Sequence, residues 1–140
     1  MAYQTVNPFN NQLVKKFDAH TDDQVEQALV KADALYHSDW SQDDIESRVA
    51  VLHKLADLIE NNVERLAKTA SEEMGKLIKQ SREEVKLCAS IARYYADNAK
   101  AFLAPVKYDS SLGDAWVEHH PIGPIVAVEP WNFPFYQLIR

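Results

Sequence analysis

The sequence predicts an α/β fold in which a long helical part precedes the first strand of a parallel sheet. Three observations carry that reading. Apolar residues recur at helical spacing between positions 25 and 102. The run Ile125-Val126-Ala127-Val128 is apolar on both faces, as suits a strand covered on both sides. Pro134 then falls where the first turn of a helix tolerates a missing N–H.

Composition sets the bounds. The chain has 140 residues, 46% of them hydrophobic, enough for one packed domain. Its formal net charge of -6 disfavours a nucleic-acid partner, because an acidic surface repels phosphates. The lysines are spread among glutamates and form no basic patch. No apolar run is long enough to span a bilayer, so no membrane partner is expected. Met1-Ala2-Tyr3-Gln4-Thr5 lacks the basic start and apolar core of a signal peptide. The single Cys88 excludes an intramolecular disulfide and fits a reducing cytoplasm, the expected location.

The elements follow in order. Asn7-Pro8-Phe9-Asn10-Asn11 is a turn signal between two short extended runs, 3–6 and 13–17, which predicts a hairpin. Thr21 and Gln24 have capping-box spacing, and Val25, Ala28, Leu29, Ala32, Leu35 and Tyr36 form the stripe of the helix that follows. Ser38-Asp39-Trp40-Ser41 breaks the pattern and can cap a second helix, striped by Ile45, Val49, Leu52, Ala56, Ile59 and Val63. Asn61-Asn62 marks a kink or a boundary. Leu66, Ala67, Ala70 and Met74 continue the periodicity up to a stop at Gly75. Ser81 and Glu84 have the spacing of another capping box, ahead of Val85, Cys88, Ala89, Ala92, Tyr95, Ala99 and Phe102. Ala104-Pro105 ends that helix. One buried stripe is expected on each helix. Trp116-Val117-Glu118-His119-His120 then reads as an edge strand, and Pro121-Ile122-Gly123-Pro124 as a turn into the apolar run. A strand buried on both faces needs parallel neighbours, reached through crossovers of a dozen or more residues. No second run of that type exists here, so the sequence is expected to be cut inside a βα unit. The alternative is a helical domain whose last 25 or so residues dock on a partner.

The order of hairpin, helices and edge strand, with Pro121-Ile122-Gly123-Pro124 and Glu129-Pro130-Trp131-Asn132-Phe133-Pro134, resembles the N-terminal part of the NAD(P)-dependent aldehyde dehydrogenases. Glu72-Glu73-Met74-Gly75-Lys76 resembles the family's acid-rich helix end followed by Gly-Lys. The resemblance covers nearly the whole chain, and its most specific part is Pro130-Trp131-Asn132-Phe133-Pro134. It implies an N-terminal helical part plus the first strand of a Rossmann-like nucleotide-binding domain, truncated. Residues 1–114 would be the hairpin and helical part, 115–121 a bridging strand between subunits, and 122–140 the incomplete start of the nucleotide-binding βα unit.

The resemblance also implies a chemistry. In this family a cysteine thiolate attacks an aldehyde, a hydride passes to NAD or NADP, and the thioester is hydrolysed. The oxyanion needs preorganised donors, and a side-chain amide suits that role. Asn132 matches the catalytic oxyanion asparagine. The backbone of Glu129, Pro130, Trp131 and Asn132 matches the segment along the nicotinamide ribose, at the strand end where α/β sheets bind such ligands. Phe133 and Tyr136 match substrate-tunnel positions. Arg140, eight residues after Asn132, matches an arginine that binds the distal carboxylate in the succinate-semialdehyde members. A surface arginine would fit the same spacing. The implied assembly is a homo-oligomer, a dimer or tetramer, with a small aldehyde as substrate. The nucleophile, the general base and the glycine-rich turn come later in the family's sequences, beyond the positions that these 140 residues match.

Other residues have plainer readings. Cys88 shares an apolar helix face with Val85, Ala89 and Ala92, which predicts an inert core thiol. Adjacent strand residues point to opposite faces, so His119 and His120 would not share a metal, and none is expected. Glu72-Glu73 and Glu83-Glu84 read as solvated helix faces. Asn132, taken without the resemblance, reads as the cap of the helix that follows. The resemblance thus points to oxidation of succinate semialdehyde to succinate in the full-length enzyme; the alternatives are a truncated, non-catalytic relative that binds a partner, and an aldehyde dehydrogenase for a neutral aldehyde in which Arg140 is only structural.

Overall fold

A computed structural model of the chain describes residues 3–42 and 45–140. Met1 and Ala2, and with them part of the expectation drawn from residues 1–5, lie outside the described residues.

Strands β1 (Tyr3–Val6) and β2 (Leu13–Phe17) form the expected antiparallel hairpin, pairing Tyr3 with Phe17 and Thr5 with Lys15. Its loop is held by side chains. The Phe9 amide donates to Asn7 Oδ1 at 2.9 Å, and the Gln12 amide to Asn10 Oδ1 at 3.0 Å. Asn11 takes the left-handed conformation (φ 57°) that asparagine tolerates better than most residues.

Helix α1 (Asp22–Tyr36) begins with the predicted capping box. The Gln24 amide donates to Thr21 Oγ1, and the Thr21 amide to Gln24 Oε1. Its stripe departs from expectation, because no residue of α1 is buried. Leu29 and Leu35 stay about half exposed, since α1 meets only the short helix α2 (Asp39–Gln42) extensively. Ser38 caps α2 by accepting the Trp40 amide.

Helices α3 (Glu46–Asn61) and α4 (Val63–Met74) meet at Asn62, the boundary the paired asparagines predict. Gly75 ends α4 in the left-handed region (φ 75°). Helix α5 (Ile78–Leu103) packs on both α3 and α4. The core is built from small side chains: Ala56 of α3, Ala67 and Ala70 of α4, and Val85, Cys88, Ala89, Ala92 and Ala96 of α5. Small residues let the helix axes approach closely, so contact between backbones replaces bulk. Tyr95 and Phe102 were expected on this face but remain partly exposed, and Ala96 takes the buried position. Exposed ion pairs link the helices at the rim. Arg82 forks onto Glu64 and holds its carboxyl below the usual range, while Arg93 reaches Asp57 and Glu60.

The second expected capping box is absent. Helix α5 starts at Ile78, three residues before Ser81, so Ser81 and Glu84 lie inside it and are buried. Ser81 meets Ser71 of α4 across 3.1 Å, and Glu84 turns toward the residues after Asn132. Glu84 is therefore not part of a solvated face.

Beyond Pro105, β3 (Val106–Tyr108) pairs antiparallel with β4 (Ala115–Val117). The edge strand is thus shorter than predicted, and Glu118, His119 and His120 leave the ladder. Its partner β3 carried no sequence signal. The run Ile125-Val126-Ala127-Val128 forms no strand. Ile125, Val126 and Val128 are 76%, 81% and 90% exposed. A parallel strand exists only through ladder partners, and no described residue supplies one. Helix α6 (Pro134–Ile139) follows, with Pro134 in its first turn as predicted, and packs on α5.

Candidate active site

The residues singled out around Asn132 occupy the turn before α6. Glu129 and Pro130 are half-buried, whereas Trp131 is 75% exposed and Asn132 is also open to solvent. The Asn132 side-chain amide has no hydrogen-bond partner among the described residues. It does not cap α6: Phe133 holds the cap position, with no side-chain cap bond.

Glu84 does that work from α5. Its Oε1 accepts the amides of Phe135 and Tyr136, each at 3.0 Å. These are among the first-turn N–H groups that a helix cannot satisfy itself. The other oxygen, Oε2, lies 2.5 Å from Lys76 Nζ. Lys76 also donates to the backbone oxygen of Asn132 at 2.9 Å, and its ammonium sits 3.7 Å from the centroid of the Phe133 ring. Both charged side chains are almost fully buried, at 6% and 1% exposure, so their mutual pairing and their contacts to the turn offset the cost of leaving water.

Three expected substrate-facing residues come together along α6. The Phe133 and Tyr136 rings meet nearly edge to face at 6.2 Å, and the Arg140 guanidinium lies 5.6 Å from the Tyr136 centroid. Tyr136 and Arg140 lie four residues apart at the C-terminal end of α6, and the Phe133 ring reaches Tyr136 from the non-helical cap position. Arg140 is exposed and has no carboxylate partner among the described residues. A cleft of about 310 Å³ opens beside the turn, lined by Thr69, Met74, Trp131, Pro134 and Phe135 among others. Phe133, Tyr136 and Arg140 do not line it.

Cys88 is fully buried, and its thiol is pushed up to about 11, first by burial and then by the nearby Glu84 carboxylate. That matches an inert core cysteine. Among the described residues no three His, Cys, Asp or Glu side chains gather as a metal site. His120 instead lies 3.4 Å from Glu118.

Sequence reasoning missed Lys76 and Glu84 as partners. One signal was available. Glu84 falls on the same face of α5 as Ser81, Val85, Cys88 and Ala92, and a carboxylate in a buried stripe demands a partner.

Residues 1–140 match the family profile described as the aldehyde dehydrogenase family. The chain belongs to the aldehyde dehydrogenase family. The family's succinate-semialdehyde members are prominent among its relatives. It is 35% identical over 138 residues to the NADP(+) succinate-semialdehyde dehydrogenase of Deinococcus radiodurans, which covers 99% of this chain and 29% of that protein. The NADP(+) succinate-semialdehyde dehydrogenase 1 of Mycobacterium bovis is 36% identical, over 100% of this chain and 31% of its own length. Among solved structures, the succinic semialdehyde dehydrogenase of Streptococcus pyogenes, in complex with NADP+, aligns with a TM-score of 0.93 at 40% identity. That match covers 99% of this chain and 30% of the other. The chain therefore spans a little under a third of the length of the relatives it matches. Among the described residues, no helix is long and apolar enough to cross a membrane.

Proposed function

We propose that the protein carrying this chain oxidises succinate semialdehyde to succinate with NAD(P)+. In this reading the chain contributes Asn132 as oxyanion donor, Glu129, Pro130 and Trp131 as part of the nicotinamide wall, and Phe133, Tyr136 and Arg140 as part of the substrate tunnel. The supporting observation is the 40% identity, across 99% of the chain, to the NADP+-bound succinic semialdehyde dehydrogenase.

The local chemistry fits. A free, solvent-facing amide on a turn with a tethered backbone can donate to developing negative charge without first breaking another bond. The open turn at Glu129 and Pro130 and the exposed indole of Trp131 leave backbone and a flat apolar face available to a nicotinamide nucleotide. When bound, that cofactor supplies the hydride acceptor. Arg140 has a planar fork of donors for the distal carboxylate of an acid-tailed aldehyde. The nucleophile in this reading lies outside the chain, since Cys88 is buried and its thiol is held neutral.

In the same reading, residues 1–114 are the hairpin and helical part of the cofactor-binding domain, 115–121 bridge subunits, and 122–140 open the nucleotide-binding βα unit. The intact protein is a cytoplasmic homo-oligomer. The test is turnover by the intact protein, followed as NAD(P)H formation, with succinate semialdehyde and with butanal. We expect kcat/KM to favour the acid-tailed substrate by at least about ten-fold, the scale of one charge-assisted contact. Equal values point to a neutral aldehyde, and no turnover with either points to a non-catalytic relative. A monomer mass by light scattering would overturn the assembly.

A further inference from the structure

We propose that Lys76 and Glu84 are positioning residues that set the location of the Asn132 amide from the helical core. The proposal rests on the reading of Asn132 given above.

The two side chains tie down the turn at both ends. Lys76 grips the Asn132 carbonyl at 2.9 Å and covers the Phe133 ring, while Glu84 holds the amides of Phe135 and Tyr136. The 2.5 Å contact between Lys76 and Glu84 joins the two grips into one unit. The Asn132 carbonyl and side chain share one Cα, so fixing the peptide plane limits where the side chain points. Lys76 sits next to Gly75, the left-handed end of α4, and Glu84 sits on the core face of α5. The turn is thereby referenced to the most deeply buried part of the fold.

This arrangement explains two otherwise costly features. A carboxylate inside an apolar stripe is unfavourable unless every oxygen is used, and here both are. A six-residue helix is too short to hold itself together, and Glu84 supplies the first-turn acceptor it lacks. Because Glu84 caps α6, Asn132 is left free to donate elsewhere. A merely stabilising pair would need no contact with the turn.

The test uses the intact protein with Glu84→Gln, Lys76→Met and Lys76→Arg. Glu84→Gln can keep the oxygen facing the two amides but loses the lysine contact. Lys76→Met removes the Asn132 tether together with the ion pair to Glu84 and the contact over Phe133, and Glu84→Gln, which lacks the ion pair but keeps Lys76, separates the two losses. For folded Lys76→Met we expect kcat to fall by about ten- to a hundred-fold, the penalty for misplacing a catalytic group by about 1 Å. KM for aldehyde and cofactor should stay within a few-fold, and Lys76→Arg should recover part of the loss. A folded Lys76→Met protein with unchanged kcat, or with a change confined to KM, overturns the proposal. Hydrogen exchange gives a second reading that needs no variant and no turnover. The Phe135 and Tyr136 amides of the unsubstituted protein should exchange far more slowly than those of the adjoining turn. Exchange as fast as an open turn overturns the tether itself. If the intact protein oxidises no aldehyde, the functional reading fails while slow exchange at these two amides still supports the tether.

Discussion

Glu84 and Tyr136, 52 positions apart in the sequence, are joined by a 3.0 Å hydrogen bond from the Tyr136 amide to the Glu84 carboxylate. The bond carries a division of labour. An asparagine just before a helix ordinarily spends its side chain on capping. Here a carboxylate from another helix takes that task, and the Asn132 side chain is left uncommitted. Fold and site meet at this point: the same α5 face that builds the alanine-rich core also reaches the candidate active-site turn.

Asn132→Ala in the intact protein should lower kcat by roughly a hundred-fold or more, with little change in aldehyde KM, because an oxyanion donor acts mainly in the transition state. Since Asn132 does not cap α6, the thermal midpoint should barely move. A large loss of stability with unaltered kcat would assign the residue to capping after all. Steady-state kinetics and a thermal melt on one preparation decide between them.

Arg140→Ala should raise KM for succinate semialdehyde by ten-fold or more, while KM for butanal changes about two-fold at most. The geometry behind this is the stacked face of Phe133, Tyr136 and Arg140, on which the guanidinium lies 5.6 Å from the Tyr136 ring and has no carboxylate partner among the described residues. Equal effects on the two substrates would make Arg140 a surface residue of α6.

Much of this arrangement was legible in the sequence, for identifiable reasons. The Thr21–Gln24 cap, the Asn62 boundary, the Gly75 stop and Pro134 at the start of α6 are local codes, each read within a few residues. The ties from Lys76 to Asn132 and from Glu84 to Phe135 and Tyr136 were not, because they span 51 to 56 positions and no short-range pattern encodes them. The spacing of Glu84 from Ser81 imitates a capping box, and the true helix start three residues earlier turns both inward. The apolar run Ile125-Val126-Ala127-Val128 shows the opposite limit. Its pattern is that of a buried strand, yet strand formation is decided by partners, and none is present among the described residues.

Gly75→Ala should destabilise the fold by about 1–2 kcal/mol, the typical cost of a left-handed non-glycine residue. The backbone there has φ 75°, and an added Cβ would come within 3.0 Å of Pro8 Cγ in the hairpin loop. The substitution thus strains the end of α4 and presses on the β1–β2 loop together. Urea unfolding measures the loss. An unchanged midpoint would mean that the α4–α5 junction relaxes more freely than this close approach indicates.

Cys88 links stability to alkaline pH. Its thiol is raised from an ordinary 9.0 to about 11, mainly by burial and secondarily by the Glu84 carboxylate. The unfolded thiol releases its proton at lower pH than the folded one. Between those values the unfolded state therefore binds fewer protons, and stability falls as pH rises. The contribution is complete below about pH 9 and is lost as pH climbs through 11. At neutral pH the same shift leaves on the order of a hundred-fold less thiolate than an ordinary cysteine, before burial slows access further. Iodoacetamide should therefore label Cys88 only under denaturing conditions. Cys88→Ala should remove the part of the pH 9–11 stability loss that belongs to this residue, because alanine has nothing to ionise. Urea titrations of both proteins at pH 8 and pH 10.5 check this, and an identical pH slope in the two would show that burial does not hold the thiol neutral.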